Sequence, residues 1–223
     1  EHILLLNNDT VVTPYWLTRL ASAFIHHNVG LVAPLSVNNG SHQNIGQAPY
    51  RNKSEMLNFS SYLGRRNMGS LSEASVVIGL CLLIRKEVWK KLGGMDPIFG
   101  YGNGEDSDYC IRCHRIGYKI IVAEDVFIDY VGSANFSTSS FPYRELLKQN
   151  YCYSVLKHLS TKQAQDTISS TRFNTAFTVD AVRWKSLRQW DEEWDYIPFT
   201  TQEYLESYRT PVAPFTREKT LLA

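Results

Sequence analysis

The chain has almost no excess charge of either sign: its 223 residues carry 23 basic and 22 acidic side chains, a net of +1. So even a balance offers no field for nucleic acid and removes that class of partner. No apolar run approaches the ~20 residues that a membrane-spanning helix needs, and no signal peptide is read in the opening residues. These absences give an expected cytoplasmic location, including a peripheral place at the inner membrane face. Cysteine is scarce, with four in all, too few to frame a chain of this size with disulfides. Cys110-Ile111-Arg112-Cys113-His114 spells the haem-attachment pattern C-x-x-C-H, yet Cys113 falls with Tyr109 and Ile116 on one apolar helical stripe, which reads as core. No second Cys/His cluster stands at zinc-ligand spacing. Internal repeats and low-complexity tracts are also missing. What remains is a chain long enough to bury one good core, or one core with an appendage.

Against that plain background one stretch stands out, Phe99-Gly100-Tyr101-Gly102-Asn103-Gly104-Glu105-Asp106-Ser107-Asp108. Its alternating glycines let the backbone turn sharply and approach a ligand closely. The helix that follows begins with Glu105, Asp106 and Asp108 at the positive end of its dipole, which favours their ionised forms. Carboxylates placed so can bind a metal, hold sugar hydroxyls or act as a general base, and they can equally do no more than cap a helix.

A second stretch lies at the start. Ile3-Leu4-Leu5-Leu6 reads as a buried strand that ends at Asn7-Asn8-Asp9-Thr10, and polar residues at the carboxyl end of a parallel strand are where α/β sheets place ligands. Thr13 as cap and Pro14 in the first position predict a helix to about His27, stopped by Gly30. Leu31-Val32-Ala33 reads as a short strand ended by Pro34, residues 36–54 as a long surface loop, and Glu55–Leu63 as a short helix. Ser75–Ile84 reads as one buried strand interrupted by Gly79, a place of close backbone or ligand approach. Arg85–Leu92 reads as a helix stopped by Gly93-Gly94, Tyr118–Val122 and Val126–Tyr130 as strands, and Pro142 to about Leu159 as a helix with Leu146, Leu147, Tyr151, Val155 and Leu159 on its apolar stripe.

Three segments together resemble the family 2 glycosyltransferases of the GT-A fold. They are Leu5-Leu6-Asn7-Asn8-Asp9-Thr10-Val11 with Pro14 and Trp16-Leu17; Gly79 through Arg85 leading to Leu92-Gly93-Gly94-Met95-Asp96; and Gly104-Glu105-Asp106-Ser107-Asp108 with Arg112. The resemblance implies an α/β, Rossmann-like mixed sheet with flanking helices over residues 1–160, followed by a helical, aromatic-rich extension over 161–223 that contains Trp184, Trp190, Trp194, Tyr196, Tyr204 and Tyr208. It also implies that strands holding the nucleotide precede the Ile3 strand, so an exposed sheet edge there is expected to invite self-association.

The activity implied is transfer of a sugar from a nucleotide-diphosphate donor to a hydroxyl of a carbohydrate or other acceptor, with inversion and with Mn²⁺ or Mg²⁺. In the family the last Asp of a D-x-D-like motif contacts the metal, which carries that role to Asp9, with Asn7 in place of the first Asp. The Glu-Asp pair maps to Glu105, a ligand to hydroxyls, and Asp106, the base. Asn7, Asn8, Gly79 and Gly104 are expected to line donor and acceptor, and Asp108 and Arg112 to hold loop and helix in place. The family's metal-binding histidine is absent from Ile128-Asp129-Tyr130-Val131-Gly132-Ser133; Asp129 or Tyr130 stands there, and Asp129 is an acceptable ligand for either cation. Two other readings stay open, a non-catalytic carbohydrate- or partner-binding module of the same fold, and a nucleotidyltransferase.

Overall fold

The structure, a computed structural model, describes residues 2–37, 39, 41–130, 143–158 and 214–215. These fall into two compact units: the first holds the residues up to Gly94, those from Tyr109 to Tyr130 and Pro214–Phe215, and the second holds Met95–Asp108 and the helix of residues 143–158. The aromatic-rich stretch expected after residue 160 lies outside the described residues, apart from Pro214–Phe215.

The first unit is built on a six-stranded mixed sheet in the order β1-β5-β3-β6-β4-β8. Its strands are β1 (His2–Leu6), β3 (Val29–Leu35), β4 (Leu71–Ala74), β5 (Cys81–Arg85), β6 (Lys119–Phe127) and β8 (Pro214–Phe215). The β3–β6 pair is parallel, and every other pair is antiparallel. A second ribbon joins β2 (Thr10–Val11) to β7 (Asp129–Tyr130) with Val11 opposite Asp129. Helices α1 (Trp16–Ser22), α2 (Lys53–Arg66) and α3 (Lys86–Leu92) flank the strands, and α4 (Glu105–Arg115) has its first turn in the second unit and the rest in the first.

Consecutive residues Cys81, Leu82, Leu83 and Ile84 are all buried, as are Ile120 to Ala123. Strands covered on both faces read as unbroken apolar runs, not as alternating ones. One face packs Cys81, Leu83, Ile121 and Ala123 against Leu20 and Phe24. Phe127 continues into a smaller cluster with Val37, Met56 and Leu63 of the α2 side.

Several local expectations are corrected. Thr13 does not cap α1: its hydroxyl donates to Phe127 O at 2.6 Å in a buried position, and Tyr15 takes the cap position in a left-handed conformation (φ 63°). The helix ends at Ser22 and runs on only as a short 3-10 turn, Ala23–Ile25. Gly30 stops no helix. It lies inside β3, where an added Cβ would stand 2.7 Å from Tyr118 Cβ and 2.8 Å from Cys113 Sγ, so its smallness serves close packing. Pro34 does not end the strand either; it sits at a register shift of the β3–β6 pair, where a proline is tolerated. The strand expected over Ser75–Ile84 is shorter than that: only Cys81–Ile84 of the span is strand, as part of β5 between β1 and β3, and it follows a turn at Gly79-Leu80, while β4, beside β6, ends at Ala74 just before the span. Over Tyr118–Tyr130 the two expected strands are divided differently: β6 runs unbroken through Phe127, and β7 takes only Asp129–Tyr130. The loop after β3 is tied down by Gln43, wholly buried, which donates to Pro34 O and accepts from the Ile78 N–H.

Candidate functional site

In the first unit the candidate residues gather at one end of β1. The Asn7 N–H bonds to Leu80 O at 2.9 Å, extending the β1–β5 pairing and setting Asn7 beside the Gly79 turn. Asn7 and Asn8 are exposed. Thr10 closes the turn by donating to Asn7 O at 2.7 Å. Asp9 is half-buried, and its Oδ1 is buried with no hydrogen-bond partner. A buried carboxylate oxygen in that state is costly unless a cation or donor reaches it. The β2–β7 ribbon then draws the chain after Asp9 alongside Asp129 and Tyr130.

Asp129 accepts a short hydrogen bond from the Tyr50 hydroxyl. The phenol is held well above its ordinary pKa, first by burial and then by the Asp129 bond and charge, so it remains a donor at neutral pH. Tyr50 and Asp129 line a cavity of about 330 Å³ with Val11, Arg51, Asn52, Lys53 and Met56.

Among the described residues no three His, Cys, Asp or Glu side chains gather as a metal cage. The orphaned Asp9 oxygen nevertheless fits a divalent cation shared with phosphate oxygens and water, the way Mg²⁺ and Mn²⁺ are commonly held. Asp129, with its carboxylate oriented by a hydrogen bond, has the chemistry of a second ligand.

In the second unit the acidic turn has the backbone its glycines require. Gly100, Gly102, Asn103 and Gly104 have φ of 60°, 107°, 69° and 125°, a left-handed run that side chains with a Cβ rarely adopt. At Gly104 a Cβ would in addition meet the Phe99 ring at 3.1 Å. The Glu105 carboxyl has its Oε2 buried without a hydrogen bond. Burial, and then the charge of Asp106, push it up to about 7. Asp106 is half-buried and its Oδ1 accepts from the Ser107 N–H at 2.7 Å. A carboxyl with a raised pKa beside a second carboxylate is an arrangement found where protons are moved.

Asp108 and Arg112 are positioned by structure. Asp108 is fully buried, 2.7 Å from Lys157 Nζ and 2.9 Å from His158 Nε2. Arg112 donates to Leu92 O and Gly94 O at 3.0 and 3.1 Å, satisfying carbonyls at the end of α3. Three residues on α5 (Tyr143–His158), namely Asn150, Lys157 and His158, reach this segment and were not marked by the sequence pattern. Of the expected stripe Leu146, Leu147, Tyr151, Val155 and Leu159, Leu146 is buried, Leu147 and Tyr151 are only partly so, and Leu159 lies outside the described residues, whereas Asn150, Lys157 and His158 are buried. The one available signal was negative, a helix whose polar residues recur at the spacing of an inward face.

A family model described as glycosyltransferase like family 2 matches residues 1–165. Uncharacterized proteins of Mycobacterium bovis and Mycobacterium tuberculosis are 28% identical over 140 residues, which covers 62% of this chain and 49% of theirs. The chain thus spans about half the length of the curated relatives it matches. Among solved structures, that of GalNAc-T7 with UDP, GalNAc and Mn²⁺ is similar at a TM-score of 0.57 and 13% identity, over 92% of this chain and 39% of that one. At such identity the likeness is one of fold, and the mixed sheet with its flanking helices is that of the GT-A architecture.

Proposed function

Because this chain belongs to the family described as glycosyltransferase like family 2, we propose that it serves transfer of a sugar from a nucleotide-diphosphate donor to a hydroxyl acceptor with inversion at the anomeric carbon. The observation that carries this reading is the acidic turn. Glu105 keeps a buried oxygen without a hydrogen bond at the end of a left-handed glycine run, beside a second carboxylate on Asp106. Glu105 offers that oxygen to a sugar hydroxyl. Asp106 takes the acceptor proton as the acceptor oxygen bonds to the anomeric carbon and the bond from that carbon to the diphosphate breaks. The leaving group departs as a nucleoside diphosphate.

Asn7, Asn8 and the Gly79 turn line the donor, and Gly104 allows its backbone to come close to the acceptor. Asp9, with Asp129 as the second carboxylate, would hold Mn²⁺ or Mg²⁺; when bound, such a cation neutralises charge on the diphosphate. A second reading, a binding module without catalysis, is favoured by Asp129 standing where the family usually has histidine.

GalNAc-T7 was solved with UDP, GalNAc and Mn²⁺, which makes UDP-sugars with Mn²⁺ the first probes. A panel of nucleotide sugars is screened by thermal shift and then by hydrolysis. The expected result is a rise in Tm with one donor and Mn²⁺, and slow release of nucleoside diphosphate. Binding without hydrolysis would favour the binding module, and release of pyrophosphate when a nucleoside triphosphate and a sugar 1-phosphate are supplied instead would mean nucleotidyl transfer.

A further inference from the structure

Helix α5 turns a polar face inward. Asn150, Ser154, Lys157 and His158 are buried, and their spacing places them along one side of the helix. Polar groups are expensive to bury unless they find partners, and the segment from Asp96 to Asp108 provides them for Asn150 Nδ2, Lys157 and His158. Asn150 Nδ2 donates to Phe99 O at 2.9 Å and Gly102 O at 2.6 Å. Lys157 Nζ lies 2.6 Å from Asp96 Oδ2 and 2.7 Å from Asp108 Oδ1, and His158 Nε2 donates to Asp108 Oδ1 at 2.9 Å.

The two aspartates stand at opposite ends of the glycine loop. Asp96 opens it, where its Oδ1 also caps the 3-10 turn Pro97–Phe99 by accepting from the Ile98 N–H. Asp108 closes it in the first turn of α4. A single ammonium therefore fastens both ends, and Asn150 fastens the middle. Buried ion pairs are poor devices for stability alone, since apolar side chains of similar volume often serve as well; what they add is fixed geometry. Asp106 bonds the N–H of its own neighbour, so the direction of its carboxylate follows the backbone of this loop.

We infer that Lys157 is a positioning residue for the Glu105–Asp106 pair, acting by bridging Asp96 and Asp108 and so setting the loop between them. The inference rests on the reading of that pair as acceptor ligand and base. Displacement of a reacting group by about 1 Å can cost on the order of 10²-fold in rate, so the bridge is expected to show in kcat and not in donor KM.

The test uses the whole 223-residue chain and three variants. Lys157→Met removes the bridge. Lys157→Met with Asp96→Asn also removes one buried carboxylate, keeps an acceptor for the Ile98 N–H, and leaves Asp108 its bond from His158, so it guards against simple misfolding. Lys157→Arg keeps a cation. Hydrogen exchange is followed at residues 97–108 and in β5, together with turnover of the UDP-sugar selected by the screen. The double variant is expected to exchange about 10-fold or more faster in the loop with β5 unchanged, and to lose roughly 10–100-fold in kcat with KM within about twofold; Lys157→Arg should recover part of both. Loop exchange equal to that of the unaltered chain, or acceleration spread equally into β5, overturns the inference. If the unaltered chain turns over no nucleotide sugar, the transferase reading fails and the exchange result alone decides this one.

Discussion

Tyr50 donates its hydroxyl to the carboxylate of Asp129, a partner 79 residues further along the chain. The contact joins the end of the long loop after β3 to the β2–β7 ribbon. If Asp129 gives an oxygen to the cation, Tyr50 orients it, and loss of an orienting group commonly lowers metal affinity 10- to 100-fold. Tyr50→Phe and Asp129→Asn are both expected to weaken Mn²⁺-dependent binding of nucleoside diphosphate by roughly 10-fold or more, measured by calorimetry. Unchanged affinity in both would remove Asp129 from the ligand set and leave the Tyr50 bond a purely structural tie.

Asp9→Ala should abolish the metal-dependent part of that binding. Its Oδ1 is the buried oxygen that finds no protein donor, so the substitution takes away a ligand without breaking a hydrogen bond of that atom. Folding should be preserved, as read by circular dichroism. Affinity equal to that of the unaltered chain would rule out the assignment.

Asp106→Asn is expected to lower kcat by about 10²–10⁴-fold, the usual worth of a general base, while donor binding and Tm stay close to those of the unaltered chain. Retention of more than about a tenth of the rate would move the role of base to another residue, with Glu105 first in line.

Glu105 gives a pH signature that does not depend on activity. Its folded pKa is pushed up to about 7 from an ordinary 4.5, first by burial and then by Asp106. Between those two values the folded chain binds more protons at this site than the unfolded one, so stability falls as pH rises through the window. Glu105→Gln removes the titration. The Tm difference between variant and parent should be smallest below pH 4.5, grow with pH, and level off above about 7. A constant difference across that range would show that Glu105 does not titrate there.

The thiols make a simpler test. Cys81, Cys110, Cys113 and Cys152 are all buried and outside any disulfide, and burial pushes Cys81 and Cys113 up to about 12. None is expected to react with an aromatic disulfide reagent in the folded chain, and all four should react in denaturant. Rapid reaction of Cys110 or Cys113 in the native protein would reopen the C-x-x-C-H pattern as something other than core.

What was legible in the sequence was local and chemically constrained. The left-handed glycine run before Glu105, the start of α4 and the polar turn after β1 follow from the residues themselves. The rest depended on distant partners. Only Cys81–Ile84 of the span Ser75–Ile84 is strand; Val77 and Leu80 are buried outside any strand, so apolar character alone had nothing with which to mark where β5 begins. Thr13 has the chemistry of a cap but bonds Phe127 O, 114 residues away. The inward face of α5 was hidden for the same reason: Lys157 and His158 look solvated until Asp96 and Asp108 are known to face them.

The bridge that Lys157 makes also bears on how the second unit folds. An unpaired ammonium would be as costly to bury as the two carboxylates, so neither α5 nor the glycine loop has a satisfactory interior without the other. Order in the loop and docking of the helix are then one event, and the segment should open and close as a single cooperative piece instead of fraying residue by residue. Exchange at the loop amides and at the last turn of α5 should share one opening free energy, even though 40 or more residues of sequence separate them.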